Sequence, residues 1–194
     1  HRKSMTNNIK LQEVCKQLHI PVVGTTSWPL PIEAREILQE SNPCPFTAAD
    51  IDERLIGTTD FMPHSAIVCL FPYHVPHEGP TNLSRYTWAT DYHLVVTDYL
   101  QRLVDELKTT APDASFSIHC DTSPLADRYI AYLAGLGFYG KNKCFINPTW
   151  GSYIVIGTVL TTLEFESHTP MADTCMGCNQ CITSCLGQCL NGNA

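Results

Sequence analysis

The chain's last stretch carries four cysteines in the order Cys175-Met-Gly-Cys178-Asn-Gln-Cys181-Ile-Thr-Ser-Cys185, a C-x2-C-x2-C-x3-C run. Thiolates at that spacing on a tight, glycine-containing loop suit an iron-sulfur cluster: three hold one 4Fe-4S cluster, and the fourth crosses to a second whose own three cysteines lie further on. The chemistry is electron transfer. Only Cys189 follows, and Leu186 stands where such runs usually have proline, so the run reads as the first half of a two-cluster module. Two other uses of the thiols compete with the cluster. Structural zinc normally pairs C-x2-C with a second, well-separated pair, which three successive x2 spacings do not supply. A disulfide framework needs an oxidising compartment, and the N-terminal HRKSMTNNIKLQEV has no apolar signal core. Cys15, Cys44, Cys69, Cys120 and Cys144 sit mostly in apolar runs and read as buried, unpaired thiols.

A second set of residues suits proton handling. Ser115 to Cys120 reads as a strand that delivers Asp121 at its C-terminal end, where side chains of mixed α/β sheets often act. A carboxylic acid there can donate a proton if burial lifts its pKa toward neutrality; the plain alternative is that Asp121 caps a helix at Ser123. Tyr92 and His93 lie just inside the start of a long helix with Asp91 as its N-cap, either as pocket residues or as rings packed at a helix end. Arg128 is one turn into the next helix, able to pair with a carboxylate or phosphate or to stay solvated. Gly135-Leu-Gly137-Phe-Tyr-Gly140-Lys141 matches G-x-G-x-x-G, but it follows a helix and opens onto a strand. The helix N-terminus that would hold a pyrophosphate is therefore missing. It reads as a turn whose glycines let the backbone approach something bulky, with Lys141 and Asn142 beyond it.

These residues need a scaffold, and the periodicities supply one. Asn8 to Leu18 reads as an amphipathic helix using Ile9, Val14 and Leu18, followed by a strand over Ile20 to Thr25. A helix over Ile32 to Gln39 lies among prolines, and a short one is expected from Thr47. Ser65 to Phe71 is a continuous apolar run that suits a central strand covered on both sides. From Asp91 to Lys108 a helix is expected, striped by Val96, Leu100, Leu103 and Leu107. Ser123-Pro124 reads as N-cap and first residue of a helix ending near Gly135. Lys143 to Asn147 and Ser152 to Thr162 read as strands around an Asn-Pro-x-x-Gly turn. Residues before Met5 are set aside as a tag remnant. With 194 residues, 44% hydrophobic content and no apolar run near membrane length, one α/β domain over 5–165 is expected, then a cluster-binding tail over 166–194. No membrane contact and a cytoplasmic location are expected. The net charge of −7 argues against a generally basic nucleic-acid surface and leaves room for a local patch.

Taken in order, Ser84-Arg-Tyr-Thr-Trp-Ala-Thr-Asp91-Tyr92-His93, Asp121-Thr-Ser-Pro124-Leu-Ala-Asp-Arg128, Ala134-Gly-Leu-Gly137-Phe-Tyr-Gly140-Lys141-Asn142 and Gly151-Ser152, with the cysteines last, resemble the epoxyqueuosine reductase family. That family shares its architecture with reductive dehalogenases. The resemblance implies an α/β (α+β) chain, with a nitroreductase-like cobalamin-binding domain followed by a ferredoxin-like iron-sulfur segment. It implies two 4Fe-4S clusters in the full-length protein, an external low-potential electron donor, and reduction of epoxyqueuosine to queuosine in the anticodon loop of tRNA. Asp121 matches the family's proton donor, and Cys175, Cys178, Cys181 and Cys185 are the implied metal ligands. Tyr92, His93, Arg128, Gly137, Gly140, Lys141 and Asn142 are the implied cofactor-binding residues. Where the family usually has a glycine before Asp-Tyr-His, Ala89-Thr90 stands here. A corrinoid reductase or dehalogenase acting on a small molecule would share every one of these motifs. A non-catalytic electron carrier would not need the long domain ahead of its cysteines.

Overall fold

The apolar stripes meet on a four-stranded sheet. The computed structural model describes residues 2–40, 50–57, 59–76, 79, 81–172 and 175–190. β1 (Val22–Ser27), β2 (Ser65–Pro72), β3 (Phe116–Cys120) and β6 (Ile154–Thr161) form an antiparallel sheet in the order β1-β2-β6-β3. A separate two-stranded ladder joins β4 (Phe138–Tyr139) to β5 (Phe145–Ile146). β2 is central, as its unbroken apolar run requires, and Ser65 to Leu70 are all buried.

The pleat sends alternate residues of β2 to opposite sides. Ile67 and Cys69 join a core with α1 (Arg2–Gln17) and α4 (Tyr92–Thr110), whose stripe of Val96, Leu100, Leu103 and Leu107 is buried as expected. Ala66, Val68 and Leu70 join a second core with α5 (Asp127–Leu133), Trp28 and Leu160. α4 lies so close to β6 that a Cβ on Gly157 would come within 2.8 Å of Val96. β1 is approached as tightly from the other side, where a Cβ on Gly24 would stand 2.4 Å from the Ala134 carbonyl.

Several boundaries differ from the sequence expectation. The helix expected from Asn8 begins at Arg2, so residues set aside as a tag remnant are helical; Ile9 is exposed, and Leu11, Val14 and Cys15 form the buried face. β1 starts two residues after Ile20. α2 (Ile32–Glu40) matches its expected span, whereas the helix start at Thr47 falls outside the described residues; α3 (Ile51–Ile56) is capped by Asp50, which accepts from Asp52 N and Glu53 N. α5 does not start at Ser123-Pro124. Pro124 biases Ser123 toward extended backbone, and the Ser123 hydroxyl accepts from Leu125 N at 3.1 Å in a local turn, so the helix starts three residues later than expected, at Asp127. The strand expected over Lys143 to Asn147 shrinks to β5, because Lys143 takes the left-handed conformation at φ 64°. Asn147 then bridges Gly151 and hands the chain on to β6 in the other sheet.

After β6 the chain runs along β1. Thr25 N donates to His168 Nδ1 at 3.1 Å, His168 N donates to Thr25 O at 2.9 Å, and Asn8 both donates to and accepts from the Glu166 backbone. This strap shields a sheet edge that would otherwise be open. Cys15, Cys69 and Cys120 are buried as expected; Cys44 lies outside the described residues, and Cys144 is exposed because it belongs to the turn before β5 rather than to a core strand. Among the described residues no helix is long and apolar enough to cross a membrane.

Candidate active site

Asp121 leaves the end of β3 with φ 57°, a left-handed conformation that aspartate tolerates better than most residues. Its carboxylate turns toward the first turn of α4 and not toward Ser123, so it is not a helix cap. Tyr92 Oη donates to Asp121 Oδ2 at 2.5 Å, and His93 Nε2 lies 3.2 Å from the same oxygen. Asp91 secures the arrangement from the other side: as the N-cap of α4 its Oδ1 accepts from His93 N at 2.9 Å, and it holds His93 Nδ1 at 2.8 Å. The Tyr92 and His93 rings stack with centroids 4.1 Å apart. One cap residue thus orients the imidazole, and the imidazole with the phenol orients Asp121.

The charges follow the geometry. Asp91 and then Asp121 raise the His93 pKa, and His93 in turn lowers that of Asp91. Burial, reinforced by the Asp121 carboxylate, pushes the Tyr92 phenol well above its usual range.

Asp121 and Tyr92 stand on a cleft of about 1250 Å³ walled by Tyr73, Tyr86, Tyr129, Tyr132 and Tyr139 and floored in part by Ile154 and Ile156 of β6. Such a volume exceeds the roughly 300–1,000 Å³ of ordinary small-molecule sites. Arg128 also lines it, and its guanidinium donates to Lys143 O at 2.9 Å, tying α5 to the β4–β5 turn. His93 reaches the cleft through Asp121.

The other expected cofactor residues lie elsewhere. A Cβ on Gly137 would stand 2.3 Å from Ile146 O, and one on Gly140 would stand 2.5 Å from Ile146 Cδ1, so what comes close to these glycines here is β5. Asn142 Oδ1 accepts from Cys144 N at 3.1 Å and shapes the same turn. Lys141 reaches into the cysteine segment, donating to Asn179 Oδ1 at 2.7 Å and lying 3.3 Å from Cys178 O.

Cys175 and Cys178 flank a turn in which Met176 and Gly177 have φ of 45° and 74°, Cys181 lies on α6 (Gln180–Thr183), and Cys185 follows that helix. Cys178 N donates to Cys175 O at 2.8 Å. The Sγ atoms of Cys185 and Cys189 are 3.5 Å apart, and among the described residues no three metal-ligating side chains converge. The donor set is wholly sulfur on one short segment, which fits iron-sulfur ligation in type.

Sequence reasoning missed the aromatic wall and gave no role to Asp127, which lies inside the Asp121 to Arg128 motif. Tyr129 and Tyr132 are three apart on one helix and share a face, which was a readable signal. Tyr73, Tyr86 and Tyr139 come from distant segments and meet only in the fold.

Residues 61–122 match the family described as epoxyqueuosine reductase QueG, DUF1730. The chain is 41% identical over 101 residues to an epoxyqueuosine reductase of Bacillus cereus, covering 52% of this chain and 27% of that protein. The solved epoxyqueuosine reductase of Streptococcus thermophilus superposes with a TM-score of 0.80 at 25% identity, over 95% of this chain and 54% of that one. An epoxyqueuosine reductase solved with an epoxyqueuosine-modified tRNA stem loop gives 0.80 at 26% identity, over 94% and 52%. A catabolic reductive dehalogenase shares the fold, with a TM-score of 0.64 at 13% identity. The chain spans about half the length of these solved reductases.

Proposed function

We propose that this chain, a relative of the epoxyqueuosine reductases, forms the catalytic part of a cobalamin-dependent reductase that converts epoxyqueuosine in tRNA to queuosine. The observation that carries this reading is the Asp121 carboxylate, held by Tyr92 and His93 at an aromatic cleft large enough for a macrocycle. In this reading residues 5–165 are the corrin-binding catalytic domain and 166–194 begin a two-cluster ferredoxin-like segment. The protein works in the cytoplasm and draws electrons from an external low-potential donor.

Removing an epoxide oxygen as water to leave an alkene takes two electrons and two protons. The corrin and the 4Fe-4S clusters, when bound, supply the electrons. The tyrosine rings offer flat apolar faces to a corrin, and Arg128 offers a cation to its polar periphery or to an RNA phosphate. Cys175, Cys178, Cys181 and Cys185 are the thiolates for the clusters. Gly137, Gly140 and Asn142 serve the cofactor indirectly, by shaping the hairpin beside the cleft, and Lys141 by fastening the cysteine segment. Asp121 delivers a proton to the departing oxygen, and the donors Tyr92 and His93 keep its carboxylate aimed and stabilise the charge it acquires.

The test uses the full-length protein, reconstituted anaerobically with iron, sulfide and cobalamin and given an epoxyqueuosine-bearing tRNA stem loop. Queuosine should form, and Asp121→Asn should retain cobalamin binding while turnover falls by about 10²-fold or more. A fully active Asp121→Asn enzyme removes the catalytic role. Failure of the wild-type protein to bind cobalamin removes the whole reading.

A further inference from the structure

The Ser84 to His93 motif contains an arginine that has no part in the chemistry above. Arg85 opens a single turn of 3₁₀ helix, Arg85–Trp88, whose N-cap Ser84 makes no side-chain capping bond. One such turn has little stability of its own, so its place depends on what it touches. The Arg85 guanidinium supplies that contact: Nη1 lies 2.6 Å from His74 Nε2 and donates to Val75 O at 3.1 Å, and its carbon stands 5.6 Å from the Tyr153 ring centroid. An arginine only donates, so His74 Nε2 is a bare acceptor and the ring proton is on Nδ1. His74 packs edge-on to Tyr153 with centroids 4.8 Å apart, and Tyr73 N donates to Tyr153 O at 3.0 Å. The turn is thereby fastened, through Tyr73, His74 and Val75, to the residue that precedes β6.

Arg85 does not line the cleft, but its neighbour Tyr86 does. The Tyr86 ring meets Tyr73 edge to face at 6.2 Å and Tyr92 at 5.8 Å. Tyr92 therefore touches two rings, Tyr86 and the stacked His93, while its hydroxyl donates to Asp121. We propose that Arg85 is a positioning residue for the Asp121 acid: by tying its turn to Tyr73, His74 and Val75 it seats Tyr86 against Tyr92, and Tyr92 so placed aims the Asp121 carboxylate. A hydrogen bond weakens steeply as its length and angle leave the optimum, so a small displacement of the Tyr92 ring is enough to cost rate.

This inference rests on Asp121 as the acid, but two arms of its test need no turnover. In nitrogen NMR spectra of the histidine rings of the full-length protein, neutral His74 should carry its proton on Nδ1, and in Arg85→Ala that proton should move to Nε2. The His93 ring protons, identified by their loss in His93→Gln, lie against the Tyr92 ring and should shift downfield in Arg85→Ala and in Tyr86→Leu as the stacking loosens. A wild-type His74 protonated on Nε2, or His93 signals unmoved in Arg85→Ala, overturns the inference whatever the turnover assay shows. In the full-length enzyme Arg85→Ala and His74→Ala should each lower kcat about tenfold with KM for the stem loop unchanged. His74→Gln, whose amide oxygen can still accept from Arg85, should restore most of that rate. A raised KM at unchanged kcat, or no rescue by glutamine, overturns the positioning role. A wild-type enzyme without turnover would refute the function proposed above, and the spectra would still decide this inference.

Discussion

On one face of the sheet α1 and α4 press onto Ile67, Cys69 and Val159 until only glycine fits at position 157, while on the other α5 leaves a cleft of about 1250 Å³. The closed face is aliphatic, with Leu11, Leu100 and Leu103 each essentially inaccessible to water. The open face is lined by tyrosines, which bury a ring and keep a polar tip. Asp121, Tyr92 and His93 stand where the two meet: the helix that closes the first face carries Tyr92 and His93 at its N-terminus.

Four substitutions separate the two faces, the largest effect first. Leu100→Ala on the closed face should cost about 2–5 kcal/mol of unfolding free energy, because neighbours this tight cannot refill the cavity; denaturant titration measures it, and a loss well below 1 kcal/mol would mean that α4 is not the seam. Asp127→Asn on the open face should act on the pH dependence instead. A carboxyl raised from 3.8 to about 7 contributes stability that is complete below the unfolded value and is lost as pH rises through 7. The wild-type unfolding free energy should therefore fall between about pH 4 and 7, by less than the roughly 4 kcal/mol that full burial would give, while the variant stays flatter. Parallel curves would place Asp127 in solvent. Tyr92→Phe removes one hydrogen bond to Asp121 and should cut turnover of the full-length enzyme about tenfold without altering the denaturation midpoint; a shifted midpoint with intact turnover would make Tyr92 a packing residue. Lys141→Met frees an exposed contact and should change global stability by less than about 0.5 kcal/mol. Limited proteolysis within residues 175–190 should nonetheless speed up, and an unchanged cleavage rate would show that Lys141 does not fasten the segment.

Much of the closed face was legible in the sequence. The heptad-like stripe of α4, the apolar run of β2 and the Asp91 cap each follow from local periodicity or local hydrogen bonding, and all three stand as read. Asp121 was legible as a polar residue at a strand end. Its partners there were not, because Tyr92 and His93 lie 29 and 28 residues away. The expected helix start at Ser123 failed because a proline-restrained serine can satisfy a backbone N–H in a turn as well as in a helix.

The order and type of the main elements, the thiolate spacing of Cys175 to Cys185 and the resemblance to a reductase family were determined by the sequence alone, since each depends on residues near one another in the chain. The tertiary structure decided which side of the sheet stays open, that five tyrosines from four segments join Tyr92 on one cleft, that Gly137 and Gly140 pack against β5, and that Asp127 lines the cleft with Asp121, its Oδ1 buried without a hydrogen bond. Burial and like-charge proximity are properties of through-space distance, and no local pattern encodes them.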